Sequence, residues 1–225
     1  MKNIAVILAA GTGQRFGQKV PKQFTVINGK MLVEYSLNAF QQHADIAEMV
    51  LVLPENDVEK MRAKLQNAHY SKLKYVIAGG AERYLSSYQA VKLYENEQEA
   101  NLLLHDAARP LISQDIISQI TAKLQTSKAV ITAIPATDTI ALVDEAAQVI
   151  STLNRRQCYQ VQTPQAFRLP LLREAFQKAI NEQYNQATDD CGIVLRYFPH
   201  EPIAVVVGNA KNGKITTECD LKLFE

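Results

Sequence analysis

Three glycines and two cations near the amino terminus have the residue types and spacing to handle phosphate groups. Gly11, Gly13 and Gly17 are interleaved with Arg15, and Lys22 follows shortly after them. Glycine lets the backbone turn tightly and lets a ligand approach the main-chain N–H groups. Arg and Lys add positive charge where phosphate oxygens would lie. The stretch therefore predicts a phosphate-binding loop, the alternative being an ordinary strand-to-helix turn with surface charges.

This loop differs from the two most familiar nucleotide-binding motifs. A P-loop requires GK[ST] after its second glycine, and the chain has no such string at this point. The glycines read GxGxxxG, one residue longer than the dinucleotide motif GxGxxG. No acidic residue closes a second strand about 20 residues later, as a ribose contact would require. Both of these nucleotide-binding classes are therefore disfavoured.

A second group of charged residues lies in the string HDAARP, residues 105–110. Asp106 is expected at the carboxyl end of a strand, where a carboxylate is a natural Mg²⁺ partner for a triphosphate. Arg109 offers a guanidinium fork for a second phosphate. The alternative is a surface ion pair between Asp106 and Arg109. We expect His105 to be structural and not a catalytic base.

The elements that must position these residues alternate between strands and helices. Apolar runs predict strands at 4–8, 48–53, 74–78, 101–105, 129–133 and 203–207. Helical spacing or capping residues predict helices at 31–40, at 57–66 after an Asn56 cap, at 86–94, at 113–127, and from 169 and 188 onward. For QTPQAF, residues 162–167, the alternative to a role in the site is a simple turn before the helix at 169. The alternation predicts an α/β fold of three layers, with a mostly parallel, twisted sheet and ligands at the strands' carboxyl ends.

Composition limits the classes of partner. The chain has 225 residues, 47% of them hydrophobic, which suits one sizeable domain. The net charge of +1 implies neither a nucleic-acid nor a membrane-surface partner. The amino-terminal apolar run is too short for a membrane span. Three cysteines without metal spacing indicate reduced thiols in a cytoplasmic protein; a cysteine nucleophile is the alternative, but no His is placed by motif to activate one.

The strand–helix alternation stops after residue 133. Short alternating stretches on either side of a turn at 144–148 predict a hairpin arm over about 138–158. An arm that leaves the sheet has no core of its own, so it would need a partner surface to bury it.

Several strings taken together are more specific than any single residue. They are LAAGTGQRFG, PKQF, GGAERYLS, HDAARP, QTPQAF, TDD and NGKIT. In this order they resemble the sugar nucleotidyltransferases, and among them the cytidylyltransferases of isoprenoid precursor synthesis, over nearly the entire chain. The resemblance implies one Rossmann-like cytidylyltransferase domain over residues 1–225, with the arm used for homodimerisation. It also implies transfer of CMP from CTP to 2-C-methyl-D-erythritol 4-phosphate, with release of pyrophosphate and dependence on Mg²⁺.

The resemblance further implies roles for particular residues. Catalytic contacts to phosphates fall to Arg15, Lys22, Arg155 and Lys214, with Arg155 reaching into the neighbouring subunit's site. Nucleotide-binding residues are Ala9, Ala10, Gly11, Thr12, Gly13, Gly80 and Ser86. Polyol-binding residues are Asp106, Arg109, Thr139, Thr163 and Thr188, and Asp106 also binds the metal. The attacking group is the substrate's own phosphate, already anionic at neutral pH, so the chemistry requires positioning and charge neutralisation and no general base.

The chain departs from the family pattern after TDD. The family usually has Ala-Ser and then a Glu, where this chain has Cys191, Gly192 and Leu195. A cytidylyltransferase for a pentitol phosphate such as ribitol 5-phosphate is therefore an alternative. Thr188 also has an alternative role as the cap of a helix. A non-catalytic nucleotide-binding protein is a more distant alternative, and the intact charges at Arg15, Lys22, Asp106 and Lys214 argue against it.

Overall fold

A seven-stranded sheet forms the centre of the computed structural model, which describes residues 1–11, 21–66, 68–184 and 186–224. The strand order across the sheet is β11-β7-β10-β6-β1-β4-β5. These strands are β1 (Lys2–Leu8), β4 (Glu48–Leu53), β5 (Leu73–Ala78), β6 (Ala100–Asp106), β7 (Ala129–Pro135), β10 (Tyr159–Arg168) and β11 (Ile203–Val207). Two short hairpins complete the strands: β2 (Val26–Ile27) with β3 (Lys30–Met31), and β8 (Ala141–Val143) with β9 (Val149–Thr152).

Most neighbouring strands are parallel, as expected. β1 pairs in parallel with β4 and β6, β4 with β5, and β7 with β11. β10 is the exception, because it runs antiparallel between β6 and β7. The alternative of a simple turn at QTPQAF is therefore excluded: these residues belong to a ten-residue strand inside the sheet. Their partners lie far along the chain, so local pattern does not reveal the pairing.

Six α-helices cover the two faces of the sheet within the described residues. They are α1 (Leu32–Gln42), α2 (Val58–Leu65), α3 (Arg83–Leu93), α4 (Gln114–Lys123), α5 (Leu169–Asn181) and α6 (Asp190–Tyr197). Alternate residues of β1 show the layering: Ala5 and Ile7 pack with α1, α2 and α4, whereas Ile4, Val6 and Leu8 pack with α3, α5 and α6. The predicted three-layer α/β architecture is confirmed.

Helix starts differ from the sequence prediction at three places. α2 begins at Val58 after Asp57, so Asn56 is not its cap. α3 begins at Arg83, which puts Ser86 inside the helix and not at its start. The cap of α6 is Asp189, whose carboxylate accepts a hydrogen bond from Gly192 N, and not Thr188. Of these three helices only α6 has a side-chain cap, since Asp57 before α2 and Glu82 before α3 make no capping hydrogen bond.

The predicted arm is a hairpin of β8 and β9. Its turn is closed by hydrogen bonds from Asp144 N to Gln148 O and from Ala147 N to Asp144 O. Every residue from Ala141 to Gln157 is exposed. The exposed set includes large apolar side chains: Leu142, Val143, Val149, Ile150 and Leu153. A two-stranded hairpin with uncovered apolar side chains is marginal in water on its own.

Candidate active site

The carboxyl ends of β1, β5 and β6 open onto a cleft of about 490 Å³. Parallel strands end at the same edge of a sheet, which is where α/β folds bind ligands. Eight of the residues predicted to act in catalysis or binding line this cleft: Ala9, Ala10, Gly11, Lys22, Gly80, Ser86, Asp106 and Lys214. Thr12, Gly13 and Arg15, with Gly17, lie outside the described residues.

One wall of the cleft is the turn between β5 and α3. A Cβ on Gly79 would lie 2.5 Å from Ala10 Cβ, and a Cβ on Gly80 would lie 2.3 Å from Leu85 Cβ, so both positions require glycine. The buried Ser86 hydroxyl accepts a hydrogen bond from Gly80 N at 3.1 Å and donates one to Glu82 O at 3.1 Å. Ser86 therefore shapes the turn that presents Gly80 to the cleft.

Lys22 approaches the cleft from a 3₁₀ turn, Lys22–Phe24. Its ammonium donates a hydrogen bond to Ile215 O at 3.1 Å. Beside it, the buried Gln23 side chain donates from Nε2 to Gly11 O at 3.2 Å. These contacts tie the segment after the glycine loop both to the end of β1 and to the carboxyl-terminal segment that carries Lys214.

Asp106 is the electrostatic centre of the site. Its Oδ2 accepts from Lys214 Nζ at 2.7 Å, and its Oδ1 accepts from Arg83 Nε at 2.9 Å. Burial alone would raise the pKa of this carboxyl, but Arg83 and Lys214 outweigh burial and hold the pKa well below its usual range. Asp106 is thus a carboxylate throughout the physiological pH range, and it fixes the ammonium of Lys214 at the edge of the cleft.

Arg83 is a site residue to which the sequence analysis gave no role. Its Nη1 donates to Asp190 Oδ2 at 2.7 Å, so one guanidinium joins Asp106 to Asp190. Burial would lower the pKa of Arg83, and the two carboxylates raise it further than burial lowers it. Its place in the string GGAERYLS was a sequence signal that Arg83 could belong to the site. Its partners stand 23 and 107 residues away, so sequence alone could not pair them.

The donor set at Asp106 is compatible with a divalent cation held mainly by nucleotide oxygens. Among the described residues, no three His, Cys, Asp or Glu side chains form a metal cluster. Mg²⁺ commonly takes only one or two carboxylates together with substrate phosphates and water. The ionised Asp106 lines the cleft and meets that requirement.

Two residues beneath Asp106 are structural. His105 is fully buried; its Nε2 lies 3.0 Å from Arg109 O and its Nδ1 lies 3.1 Å from the Thr163 hydroxyl. Burial lowers the pKa of His105 to about 4, so the ring is neutral near pH 7. The Thr163 hydroxyl also accepts from Asp106 N at 3.1 Å. Thr163 is 3% exposed, so it supports the Asp106 backbone instead of lining the cleft as predicted.

Arg109 also differs from expectation. Its Nη1 donates to Asn212 O at 2.9 Å, and its Nη2 donates to Val161 O at 3.3 Å. The guanidinium fork is therefore engaged with main-chain carbonyls of β10 and of the segment before Lys214. Burial lowers the pKa of Arg109. In this structure the Arg109 guanidinium holds two segments of the site together and is not free to bind a phosphate with both of its Nη groups.

Three predicted site residues are exposed and do not line the cleft formed by the described residues. They are Thr139, Arg155 and Thr188. Arg155 donates from Nη1 to Thr137 O at 3.0 Å, at the base of the arm. Thr188 directly precedes the Asp189 cap of α6. One subunit alone thus does not bring Arg155 to Lys22 and Lys214.

The departures after TDD lie away from the cleft. Cys191 is 7% exposed and packs among α3, α5 and β-sheet residues, and burial raises the pKa of its thiol to about 12. A Cβ on Gly192 would meet only Asp189 Oδ1, at 3.2 Å. Leu195 is 49% exposed on the outer surface of α6. None of these three residues lines the described cleft.

The fold and cleft can now be compared with known proteins. A family model described as 2-C-methyl-D-erythritol 4-phosphate cytidylyltransferase matches residues 3–225. The chain belongs to this family. The resemblance of the sequence strings to these cytidylyltransferases is confirmed, and the protein is a nucleotidyltransferase enzyme.

Individual relatives of the 2-C-methyl-D-erythritol 4-phosphate cytidylyltransferase family agree with this membership. The enzyme of that name from Thermobifida fusca is 37% identical over 98% of this chain and 91% of its own length. The 4-diphosphocytidyl-2C-methyl-D-erythritol synthase structure from Anaerococcus prevotii has a TM-score of 0.85 at 29% identity, covering 98% of this chain and 93% of that one.

A relative with a different name is also similar. The bifunctional ribulose 5-phosphate reductase/CDP-ribitol pyrophosphorylase Bcs1 of Haemophilus influenzae is 40% identical over the whole of this chain. This chain spans 48% of the Haemophilus protein. The relatives of this chain therefore carry two different polyol names.

Proposed function

We propose that this protein transfers CMP from CTP to 2-C-methyl-D-erythritol 4-phosphate, giving 4-diphosphocytidyl-2-C-methyl-D-erythritol and pyrophosphate. The observation that carries the proposal is the cleft at the carboxyl ends of β1, β5 and β6, in which Lys22, Asp106 and Lys214 converge. Full-length family membership supplies the reaction class. The named methylerythritol enzymes among the relatives support the acceptor.

The reaction exchanges one bond to phosphorus for another. A phosphate oxygen of the acceptor attacks the α-phosphorus of CTP, a new phosphoanhydride bond forms, and the bond to the β-phosphate breaks. The attacking oxygen already carries negative charge, so no proton has to be removed. The protein's task is to position two anionic groups and to neutralise their charge.

Cations of the chain have separate tasks in this scheme. Lys22, with Arg15, binds the α-phosphate as its charge redistributes. Lys214, held by Asp106 at 2.7 Å, aligns the acceptor phosphate. The Gly80 turn, with Ala9, Ala10 and Gly11, offers backbone groups to the cytidine. Asp106 would hold Mg²⁺, which when bound neutralises triphosphate oxygens.

We further propose that the active enzyme is a cytoplasmic homodimer. The exposed apolar side chains of the β8–β9 arm need a covering surface, and a second copy of the chain supplies one by symmetry. Arg155, at the base of the arm, would then complete the neighbouring subunit's cleft. CTP is a cytoplasmic metabolite, which supports that location. No helix in the described part of the chain is long and apolar enough to cross a membrane.

The acceptor is tested by comparing kcat/KM for 2-C-methyl-D-erythritol 4-phosphate and ribitol 5-phosphate, with saturating CTP and Mg²⁺. We expect the methylerythritol substrate to be preferred. A pocket that pairs particular hydroxyls discriminates by up to about 10⁴-fold, whereas one that only accommodates a methyl group gives about 10–200-fold.

The pentitol phosphate is the second candidate, because the Haemophilus CDP-ribitol pyrophosphorylase is 40% identical to this chain. A higher kcat/KM for ribitol 5-phosphate would replace the proposed acceptor and leave the chemistry unchanged. If no pyrophosphate is released with either acceptor, both candidates are contradicted. CTP binding without turnover would then favour a non-catalytic nucleotide-binding protein.

A further inference from the structure

Arg83 holds two carboxylates from different elements with one guanidinium group. It is the first residue of α3, directly after the glycine turn that lines the cleft. Nε contacts Asp106 at 2.9 Å and Nη1 contacts Asp190 at 2.7 Å. The Arg83 side chain is only 24% exposed, and the Asp190 side chain is fully buried. A planar fork of fixed geometry suits this arrangement, and a lysine ammonium could hold one of the carboxylates but not both at these positions.

The two carboxylates connect Arg83 to different elements of the fold. Asp106, at the end of β6, holds the Lys214 ammonium through its other oxygen. Asp190 is the first residue of α6, two positions after Thr188. The Arg83 guanidinium therefore holds both the Asp106 carboxylate and the amino terminus of α6 in place.

The α6 amino terminus is also held from the sheet. The buried Gln165 side chain donates to Asp189 Oδ2 at 2.9 Å and accepts from Cys191 N at 2.9 Å. Gln165 lies on β10, next to β6 in the sheet. The tether from Gln165 fixes α6 to the sheet, whereas the tether from Arg83 fixes α6 to the nucleotide-binding turn.

We propose that Arg83 is a positioning residue that couples the nucleotide-binding turn to the acceptor side of the cleft, by holding Asp106 and Asp190 at the same time. This rests on the proposed function, since it assigns Lys214 to the acceptor. The backbone groups that meet the nucleotide belong to the turn itself and need no coupling. Loss of the double contact should therefore weaken acceptor binding and turnover. Binding of CTP measured without Mg²⁺, to which the metal role of Asp106 does not contribute, should stay nearly unchanged.

The test variant is Arg83→Lys, which retains the charge beside the buried Asp190. Arg173→Lys is the matched control, because Arg173 on α5 also spans two acceptors, the carbonyls of Glu95 and Glu97, away from the cleft. Calorimetry without Mg²⁺ gives the Kd of CTP and the Kd of 2-C-methyl-D-erythritol 4-phosphate separately. Thermal unfolding and steady-state kinetics complete the comparison.

For Arg83→Lys we expect the acceptor Kd to rise and kcat to fall, each by about 10-fold to 100-fold, the scale of one charge-assisted hydrogen bond. The CTP Kd should stay within about threefold of wild type, and Arg173→Lys should match wild type in every binding and kinetic measurement. Equal weakening of both ligands, or no weakening of the acceptor, would overturn the proposal.

A second variant covers the case in which Arg83→Lys does not fold. Arg83→Gln combined with Asp190→Asn removes both charges of the buried pair, so no uncompensated carboxylate remains. For this double variant we again expect the acceptor Kd to rise while the CTP Kd stays nearly unchanged. Any other result for the two Kd values contradicts the proposal. If wild-type protein turns over neither polyol phosphate, the proposed function has failed. If wild type is active and the Arg83 variants behave like Arg173→Lys, only the coupling role has failed.

Discussion

At the scale of single residues, the site works through charges held in fixed positions. Asp106 illustrates this: two cations hold its carboxylate, and that carboxylate in turn fixes Lys214. Thr163 and His105 support the same residue from the interior. A preorganised set of charges needs little reorganisation as phosphate charge moves in the transition state.

The Lys22 ammonium should act mainly in the transition state. We expect Lys22→Ala to lower kcat by at least about 10²-fold, the effect of losing one transition-state charge contact, with a much smaller change in CTP affinity. Arg15→Ala should behave in the same way. Lys30→Ala is the control, because Lys30 is an exposed lysine on β3. An unchanged kcat in both Lys22→Ala and Arg15→Ala would refute their assignment.

A divalent cation should be required for turnover, since a triphosphate beside one carboxylate is poorly neutralised without it. EDTA should abolish pyrophosphate release, and added Mg²⁺ should restore it. Asp106→Asn should raise the Mg²⁺ concentration needed for half-maximal rate, while its fold, checked by circular dichroism, persists. Full activity in metal-free buffer would remove Asp106 from the metal role.

At the scale of elements, the local sequence pattern predicted those strands and helices that depend on residues close together in the chain. The apolar runs at 4–8 and 48–53 are buried strands, and the helix predicted at 169 begins there. β10 was not predicted as a strand, because its pairing with β6 and β7 joins residues that are far apart in the chain and leaves no local pattern. The same holds in the site: Asp106 and Lys214 were identified from strings, but their contact spans 108 residues and required the fold.

The α6 helix allows a test of the departures from the family pattern. Cys191 is interior, Gly192 lies beside its own cap, and Leu195 faces outward. We therefore expect the triple variant Cys191→Ala, Gly192→Ser, Leu195→Glu to keep the wild-type ratio of kcat/KM for the two polyol phosphates. Its stability should change by up to about 3 kcal/mol, since each of the three substitutions has an ordinary effect of about 1 kcal/mol.

A contrasting variant lies on β10 and removes a contact that holds α6 to the sheet. Gln165 anchors both Asp189 and Cys191 N and is 1% exposed. Gln165→Leu should raise KM for the acceptor because it releases the α6 amino terminus. A reversal of acceptor preference in the triple variant would show that α6 packing, and not cleft contacts, selects the polyol.

At the scale of the whole molecule, one subunit leaves a proposed catalytic residue, Arg155, outside the described cleft. Lys22 and Lys214 line the cleft, whereas Arg155 is exposed at the base of an uncovered apolar arm. A twofold dimer that buries the arm would explain both facts, because each subunit would cover the other's hairpin and extend Arg155 toward the other's cleft.

Subunit mixing tests this arrangement directly. Arg155→Ala and Lys22→Ala proteins should each be nearly inactive. In a mixed dimer, one cleft has an intact Lys22 and receives Arg155 from the partner, and the other cleft lacks both. Random exchange of equal amounts makes half of the dimers mixed, each with one of two sites intact, so activity should recover to about a quarter of wild type. Mixing Lys30→Ala with Lys22→Ala controls for the effect of the exchange conditions on activity. If native mass spectrometry confirms mixed dimers and no activity returns, Arg155 acts in its own subunit or has no catalytic role.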